Sequence, residues 1–320
     1  MLIVKRLVVH PRIRGYRRNL RIRLGLFEVR EASVYVHEVI DASLELICLT
    51  RSNVLILKPG TIVRFRRPAL TYRSCNGEVI ASVVKHNNVL SISLKRELCG
   101  RRALFNGFCA VHRASEYRAY LDIVFGRSGS KRVGLAMIPH MLYAMYVGGS
   151  SVKVGIANGV KNTARLFEQV FICSSILGFL PTAYDARRVE AELGRLPHVT
   201  ERISVRDRLR HVSTAVSSEQ ALHIFVHLLL TSLAPTLRKT VGAGNRGVIP
   251  VIKFSDSMLG VLRSSKAIAS EEALSGIEGE YEIITYAPGG LILSPRNSSS
   301  RIFIPYQLLR NAALNAQLLS

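Results

Sequence analysis

Residues 140–156 read His140-Met-Leu-Tyr-Ala-Met-Tyr-Val-Gly-Gly-Ser-Ser-Val-Lys-Val-Gly-Ile156. Two runs of strand length flank Gly148-Gly149-Ser150, and consecutive glycines accept the positive φ that a tight hairpin turn requires. The stretch predicts a β-hairpin with strands at 141–147 and 151–156. Alternate side chains of a strand share a face, so Tyr143 falls with Met141, Met145 and Val147. That position suits a core tyrosine as well as one lining a site.

Working outward, residues 138–215 run strand, strand, helix, strand, helix, helix. Helical character at 161–170 carries Arg165. Thr182 and Asp185 form a capping signature that opens a helix closing at Gly194. On that helix Ala186, Val189 and Leu193 make an apolar stripe, and Glu190 borders it. A carboxylate there has to be paired, with Arg187 at hand, or hold a cation.

Residues 1–98 read as strands, with β-branched-rich runs at 20–29, 33–40, 44–49, 53–57, 61–65, 78–84 and 89–94. They predict an antiparallel β domain. Arg12, Arg14, Arg17, Arg18, Arg21 and Arg23 crowd its start. Such a tract is either an edge strand whose charges discourage edge-to-edge pairing or an arm that tracks phosphates. Residues 99–137 form a small Cys/His segment. Residues 216–320 open with an apolar helix, capped by Ser217 and Gln220 and running to Pro235. A glycine-rich loop at 242–247 follows, then strand-like runs at 248–254, 281–286, 291–293 and 301–304, and a short helix from Tyr306. The predicted fold class is α+β, with domain boundaries near 98, 137 and 215.

The 320 residues carry 44 Lys and Arg against 22 Asp and Glu, a net charge of +22. A body with that surplus repels itself unless a polyanion neutralises it, and phosphate backbones are the usual partner. This favours the phosphate-tracking reading of the arginine tract and predicts nucleic acid, DNA or RNA, as partner. The longest apolar stretch, 221–234, falls short of the roughly 20 residues a spanning helix needs. No secretory hydrophobic region follows Leu2-Ile3-Val4 before Lys5-Arg6. The expectation is a cytoplasmic protein with no membrane partner and no small-molecule cofactor.

Tyr143, Lys153-Val-Gly155, Arg165 and Glu190, in that order and on those elements, resemble the GIY-YIG nuclease superfamily. The resemblance implies phosphodiester hydrolysis on DNA or structured RNA. Tyr143 would act as base or water-positioning group, Lys153 as a second positive charge, Arg165 as phosphate clamp and Glu190 as Mg2+ ligand. Lys153 stands where that superfamily has its second tyrosine. With Arg165-Leu-Phe-Glu168-Gln169 and the later Gly276-Ile-Glu-Gly-Glu-Tyr281, the chain is also similar to an uncharacterised prokaryotic family. There a zinc-associated segment precedes a GIY-YIG-like module. The alternative within the same likeness is a non-catalytic RNA- or ribosome-associated binding protein.

Cys99 and Cys109-x-x-His112 have the ligand types and the close pair that zinc sites use. Cys75 or His140 would supply a fourth ligand, and spacing does not choose between them. The family likeness implies a first Cys-x-x-Cys pair, but Arg96 holds its first position. Simple burial of the cysteines is the competing reading.

Overall fold

The hairpin at 140–156 forms, and it lies inside a much larger sheet. A computed structural model describes residues 1–23, 28–50, 53–86, 89–127, 133–159, 164–241, 248–296 and 298–319. The glycine-rich 242–247, the centre of the 20–29 run and the first residues of the 161–170 helix lie outside the described residues.

β1 (Leu2–Arg23) and β2 (Val29–Leu49) make one long antiparallel hairpin. β3 (Val54–Leu57) and β4 (Ile62–Arg73) follow, then a separate hairpin of β5 (Glu78–His86) and β6 (Val89–Glu97). Helix α1 (Glu116–Val124) leads into β7 (His140–Tyr146), β8 (Val152–Asn158), α2 (Ala164–Phe167) and β9 (Cys173–Leu180). Next come α3 (Ala183–Leu193), β10 (Val199–Thr200), α4 (Val205–Thr214), α5 (Ser218–Leu228) and α6 (Ala234–Val241). The chain continues with β11 (Val248–Phe254), α7 (Asp256–Arg263), β12 (Lys266–Ala267), α8 (Glu271–Ser275) and β13 (Gly279–Ala287). It ends with β14 (Gly290–Pro295), β15 (Ile302–Pro305), α9 (Tyr306–Leu309) and β16 (Ala312–Leu319).

The fold is mixed α and β, and among the described residues it is organised by a 14-stranded sheet. The strand order is β10-β8-β7-β9-β11-β2-β1-β16-β4-β13-β14-β15-β12, with β3 on β2. The N-terminal strands are antiparallel, as expected, but the runs at 33–40 and 44–49 are one strand. The boundaries at 98 and 215 do not separate sheets. β11 enters between β9 and β2, and β16 pairs with both β1 and β4. The long hairpin offers rows of N–H and C=O groups along its edges, and strands distant in sequence satisfy them.

Local signals hold where their energies are local. Thr182 caps α3 by accepting from the Asp185 N–H at 3.1 Å, and α3 stops at Gly194. Ser217 caps α5 in the same way through Gln220 at 3.3 Å. The expected stop at Pro235 does not occur. A wide π turn at Leu229–Leu233 joins α5 to α6, which runs on to Val241. Proline lacks an N–H and its ring crowds the carbonyl four residues back, and a widened turn relieves both problems. Among the described residues one helical run, Ser218–Lys239, is long and apolar enough to cross a membrane, and 44% of that window is buried inside the fold. α5 packs on the sheet, with Phe225 stacked on Tyr146 at 6.5 Å. A smaller core gathers Phe108, Tyr117, Tyr120, Ile123 and Leu135 around the buried Cys75, Cys99 and Cys109.

Candidate functional site

β7 and β8 pair so that Tyr143 lies opposite Gly155. The Tyr143 ring covers that glycine: a Cβ at position 155 would fall 2.4 Å from the phenol oxygen and 2.5 Å from Cζ. Only a residue without a side chain lets the ring take this position. Lys153, two residues before Gly155, shares the face, and its Nζ stands 5.2 Å from the ring centroid. Both side chains are buried. The Lys153 ammonium donates a long bond, 3.4 Å, to the Val154 carbonyl. Burial pushes its pKa below the ordinary lysine value.

α2 and the turn after it bring up Arg165, Glu168 and Gln169. Arg165 Nη1 donates to Glu168 Oε2 at 2.8 Å, and Gln169 Nε2 donates to the Tyr143 oxygen at 3.0 Å. Arg208, turned inward with Leu209 and Val212 on α4, donates from Nη1 to Gln169 Oε1 at 3.0 Å. A guanidinium has donors only, so Arg208 fixes which end of the Gln169 amide it faces. The amide nitrogen then has to face the phenol, and the Tyr143 oxygen accepts. Burial drives the Tyr143 phenol up, but Lys153, Arg165 and the Gln169 hydrogen bond outweigh it and hold the phenol below its ordinary value. Burial likewise lowers Arg208 to about 10.

Glu190 is buried on the inner face of α3 with Ala186, Val189 and Leu193. Its Oε2 accepts from Arg187 at 2.6 Å, and Arg187 also reaches Glu201 at 2.5 Å. Burial raises the Glu190 carboxyl above its ordinary value, offset in part by Arg187 and by the Lys153 charge. Tyr143 in turn feels Lys153, Arg165 and Glu190. The structure therefore places Lys153, Arg165 and Glu190 within electrostatic reach of Tyr143, with the Glu190 carboxylate on Arg187. Two further members are Gln169, which the sequence reading quoted only for the family likeness, and Arg208, which it did not single out. The signal for Arg208 was its spacing, three after Val205 and four before Val212, which places it on the apolar stripe of α4. Among the described residues neither Lys153 nor Arg208 has a carboxylate at ion-pair distance, so the cluster holds two buried basic groups without that compensation.

The arginine tract is β1, and its members divide between the two faces of the hairpin. Arg14 pairs with Glu38 and Arg18 with Glu219. Both carboxylates also bind Lys253, which is buried and lies 3.0 Å from Glu38. Arg12 is exposed. Arg17 donates to Ser33 Oγ at 2.8 Å, and Arg21 lies 3.5 Å from the exposed Glu31. Arg23 ends the strand.

Cys75, Cys99, Cys109 and His112 converge. Their ligand atoms all lie within 4.8 Å of one another, with His112 Nδ1 at 3.4 Å from Cys75 Sγ and 3.5 Å from Cys109 Sγ. A tetrahedral zinc with bonds of about 2.3 Å to sulfur needs ligand atoms about 3.7 Å apart, so this set could hold such a metal. Burial raises the Cys109 thiol, but the His112 backbone and ring and nearby donors outweigh it and bring it to about 6, close to the thiolate that a metal needs. Cys75, not His140, lies with this set: His140 is engaged elsewhere, with Nε2 at 2.9 Å from the Tyr120 hydroxyl and Nδ1 at 2.8 Å from the Ile138 carbonyl. Arg96 is not part of the set. Its Nε and Nη2 are buried without a hydrogen-bond partner among the described residues. Lys5 ties the knuckle to the sheet, donating to Ser74 Oγ at 2.7 Å, the Cys75 carbonyl at 2.8 Å and Asn311 Oδ1 at 3.2 Å.

These features define a mixed α/β sheet protein with a Cys3His ligand set and a buried tyrosine among cations. Residues 130–300 match the family described as protein of unknown function (DUF2797), and the chain belongs to that family. The matched region contains Tyr143, Lys153, Arg165, Gln169, Glu190 and Arg208, and leaves out the Cys3His set. No curated protein and no solved structure matches the chain.

Proposed function

We propose that this protein binds nucleic acid in the cytoplasm and that Tyr143, Lys153, Arg165 and Glu190 form a GIY-YIG-like phosphodiester site. The observation that carries the reading is the pair of buried cations, Lys153 and Arg208, without carboxylate partners among the described residues, beside a tyrosine held below its ordinary pKa. A phosphate group supplies the charge that such a pair lacks. The net charge of +22 supports a polyanionic partner.

In this reading Lys153 and Arg165 grip the non-bridging oxygens, and the Tyr143 oxygen, an acceptor toward Gln169, takes a proton from the attacking water. Glu190, with the substrate phosphate, would hold Mg2+, a hard cation that binds through few carboxylates and neutralises developing charge. Zinc at Cys75, Cys99, Cys109 and His112 would be structural, since all four positions are protein ligands.

A second reading, an RNA- or ribosome-associated binding module without chemistry, draws on the Glu190 carboxylate being held by Arg187 at 2.6 Å. A nicking assay with Mg2+ on supercoiled DNA and structured RNA separates the two. The enzyme reading expects cleavage by the wild type that Glu190→Gln abolishes. Retained affinity with no cleavage by either protein supports the binder and rules out the nuclease.

A further inference from the structure

The sheet carries its two faces across five strands without interruption. Tyr143 on β7 lies opposite Ile176 on β9, and two residues back along β9 Ser174 lies opposite Ile252 on β11. Ile252 lies beside His37 on β2, and His37 lies opposite Gly15 on β1. Paired residues and alternate residues share a face. The face that holds Tyr143 and Lys153 at one end therefore presents Tyr35, His37, Arg17 and Arg21 at the other. The opposite face turns Arg14, Arg18 and Lys253 toward α5 and Glu219.

The β1–β2 end of this face is open. Tyr35 is 41% exposed, with Ile13 at 47% beside it and Val248 at 37% on the adjoining β11. The Tyr35 ring extends over Gly15, where a Cβ would lie 2.7 Å from its hydroxyl oxygen, and meets His37 edge-on at 4.9 Å. Glycine thus lets an aromatic ring rest across the neighbouring strand with its outer side in solvent. Arg17, opposite Tyr35, is oriented by Ser33. Arg21, opposite Glu31, is 83% exposed, so its 3.5 Å pair is weak and displaceable.

We propose that this open face, centred on Tyr35, His37, Arg17 and Arg21, binds a single-stranded nucleic acid and leads it across β11 and β9 toward Tyr143. An exposed ring flanked by guanidiniums offers a stacking platform and phosphate contacts together. A duplex keeps the faces of its bases inside its own stack, so it cannot use the platform. The inference rests on the nucleic-acid reading above and adds the strandedness and the entry surface.

Fluorescence anisotropy with a labelled oligothymidylate, a labelled oligouridylate and a labelled duplex tests it at low and moderate salt. The expected results are tighter binding of the single strands than of the duplex and roughly tenfold weaker single-strand binding by Tyr35→Ala, the scale of one base–aromatic stack. Tyr35→Phe keeps the ring and should bind as the wild type, and Arg17→Gln with Arg21→Gln should flatten the salt dependence. The Tyr35→Phe and arginine arms decide the matter if Tyr35→Ala fails to fold. Wild-type-like single-strand binding by folded Tyr35→Ala, or a preference for duplex, overturns the proposed face and leaves the nucleic-acid reading standing. Failure of the wild type to bind any of the three at low salt overturns both.

Discussion

The phenol ring of Tyr143 occupies the space that a side chain at Gly155 would need, with the added Cβ only 2.4 Å from the phenol oxygen. A glycine on one strand thus sets the position of a titratable group on its neighbour.

Gly155→Ala is expected to destabilise the protein by about 1–3 kcal/mol, the scale of overpacking a rigid interior. The ring cannot swing away freely, because Gln169 and Lys153 hold its far end and its face. Urea unfolding in wild-type and Tyr143→Ala backgrounds checks this. The cost should shrink sharply when the ring is gone, and equal costs would mean the ring is not the obstacle.

Arg208→Met is expected to raise the titration of Tyr143. Without Arg208 the Tyr143 phenol loses a nearby positive charge that favours its anion, and the Gln169 amide is oriented only by its 3.3 Å bond to the Arg165 carbonyl. At a given alkaline pH the tyrosinate fraction should fall. An ultraviolet difference titration against Tyr143→Phe isolates this phenol from the other ten tyrosines of the 11. An unchanged curve would disconnect Arg208 from Tyr143.

The Lys253 network should make the fold acid-labile. Burial raises the Glu38 carboxyl, but Arg14 and Lys253 outweigh it and leave its pKa below the ordinary 4.5. A carboxylate depressed in the folded state stabilises fully above its unfolded value, and that contribution is lost as pH falls through the folded one. Unfolding free energy should therefore drop as pH falls below about 4.5, and less steeply in Glu38→Gln. Lys253→Met leaves the buried Glu38 with only the largely exposed Arg14 as partner and should cost about 3 kcal/mol or less. Arg14→Met removes a guanidinium that is 66% exposed, and should cost much less than Lys253→Met.

Purified protein should carry a full equivalent of zinc by elemental analysis. Cys75→Ser and Cys99→Ser should lose it, whereas His140→Gln should keep it. Chelation should lower the thermal midpoint, because metal that binds only the folded state stabilises that state. Retention of metal by Cys75→Ser with loss in His140→Gln would reverse the ligand assignment.

Much of the scaffold near Tyr143 was legible in the residues themselves. The turn at Gly148-Gly149, the Thr182 cap and the stop at Gly194 depend on energies that act within a few residues. Glu190 on the inner edge of α3 followed from helical spacing, as did Arg187 as its partner. Arg208 went unread although helical spacing puts it on the stripe of Val205, Leu209 and Val212, because an arginine between Arg206 and Arg210 suggests a solvated residue. The tract at 12–23 was legible as cationic, but not as a strand that sends Arg14 and Arg18 to one side and Arg17 and Arg21 to the other.

The chain by itself determined its charge, the hairpin at 140–156, its helix caps and the inventory of thiols and imidazoles, all properties of composition or of neighbours along the backbone. Tertiary structure alone decided that Cys75 rather than His140 joins Cys99, Cys109 and His112. It also decided that β11 bridges β9 and β2, and that Gln169 links Arg208 to Tyr143. Each of these is a contact between distant residues. Such contacts are won by closing long loops against chain entropy, and their outcome depends on which sheet edges and buried polar groups remain unsatisfied once the whole chain has collapsed.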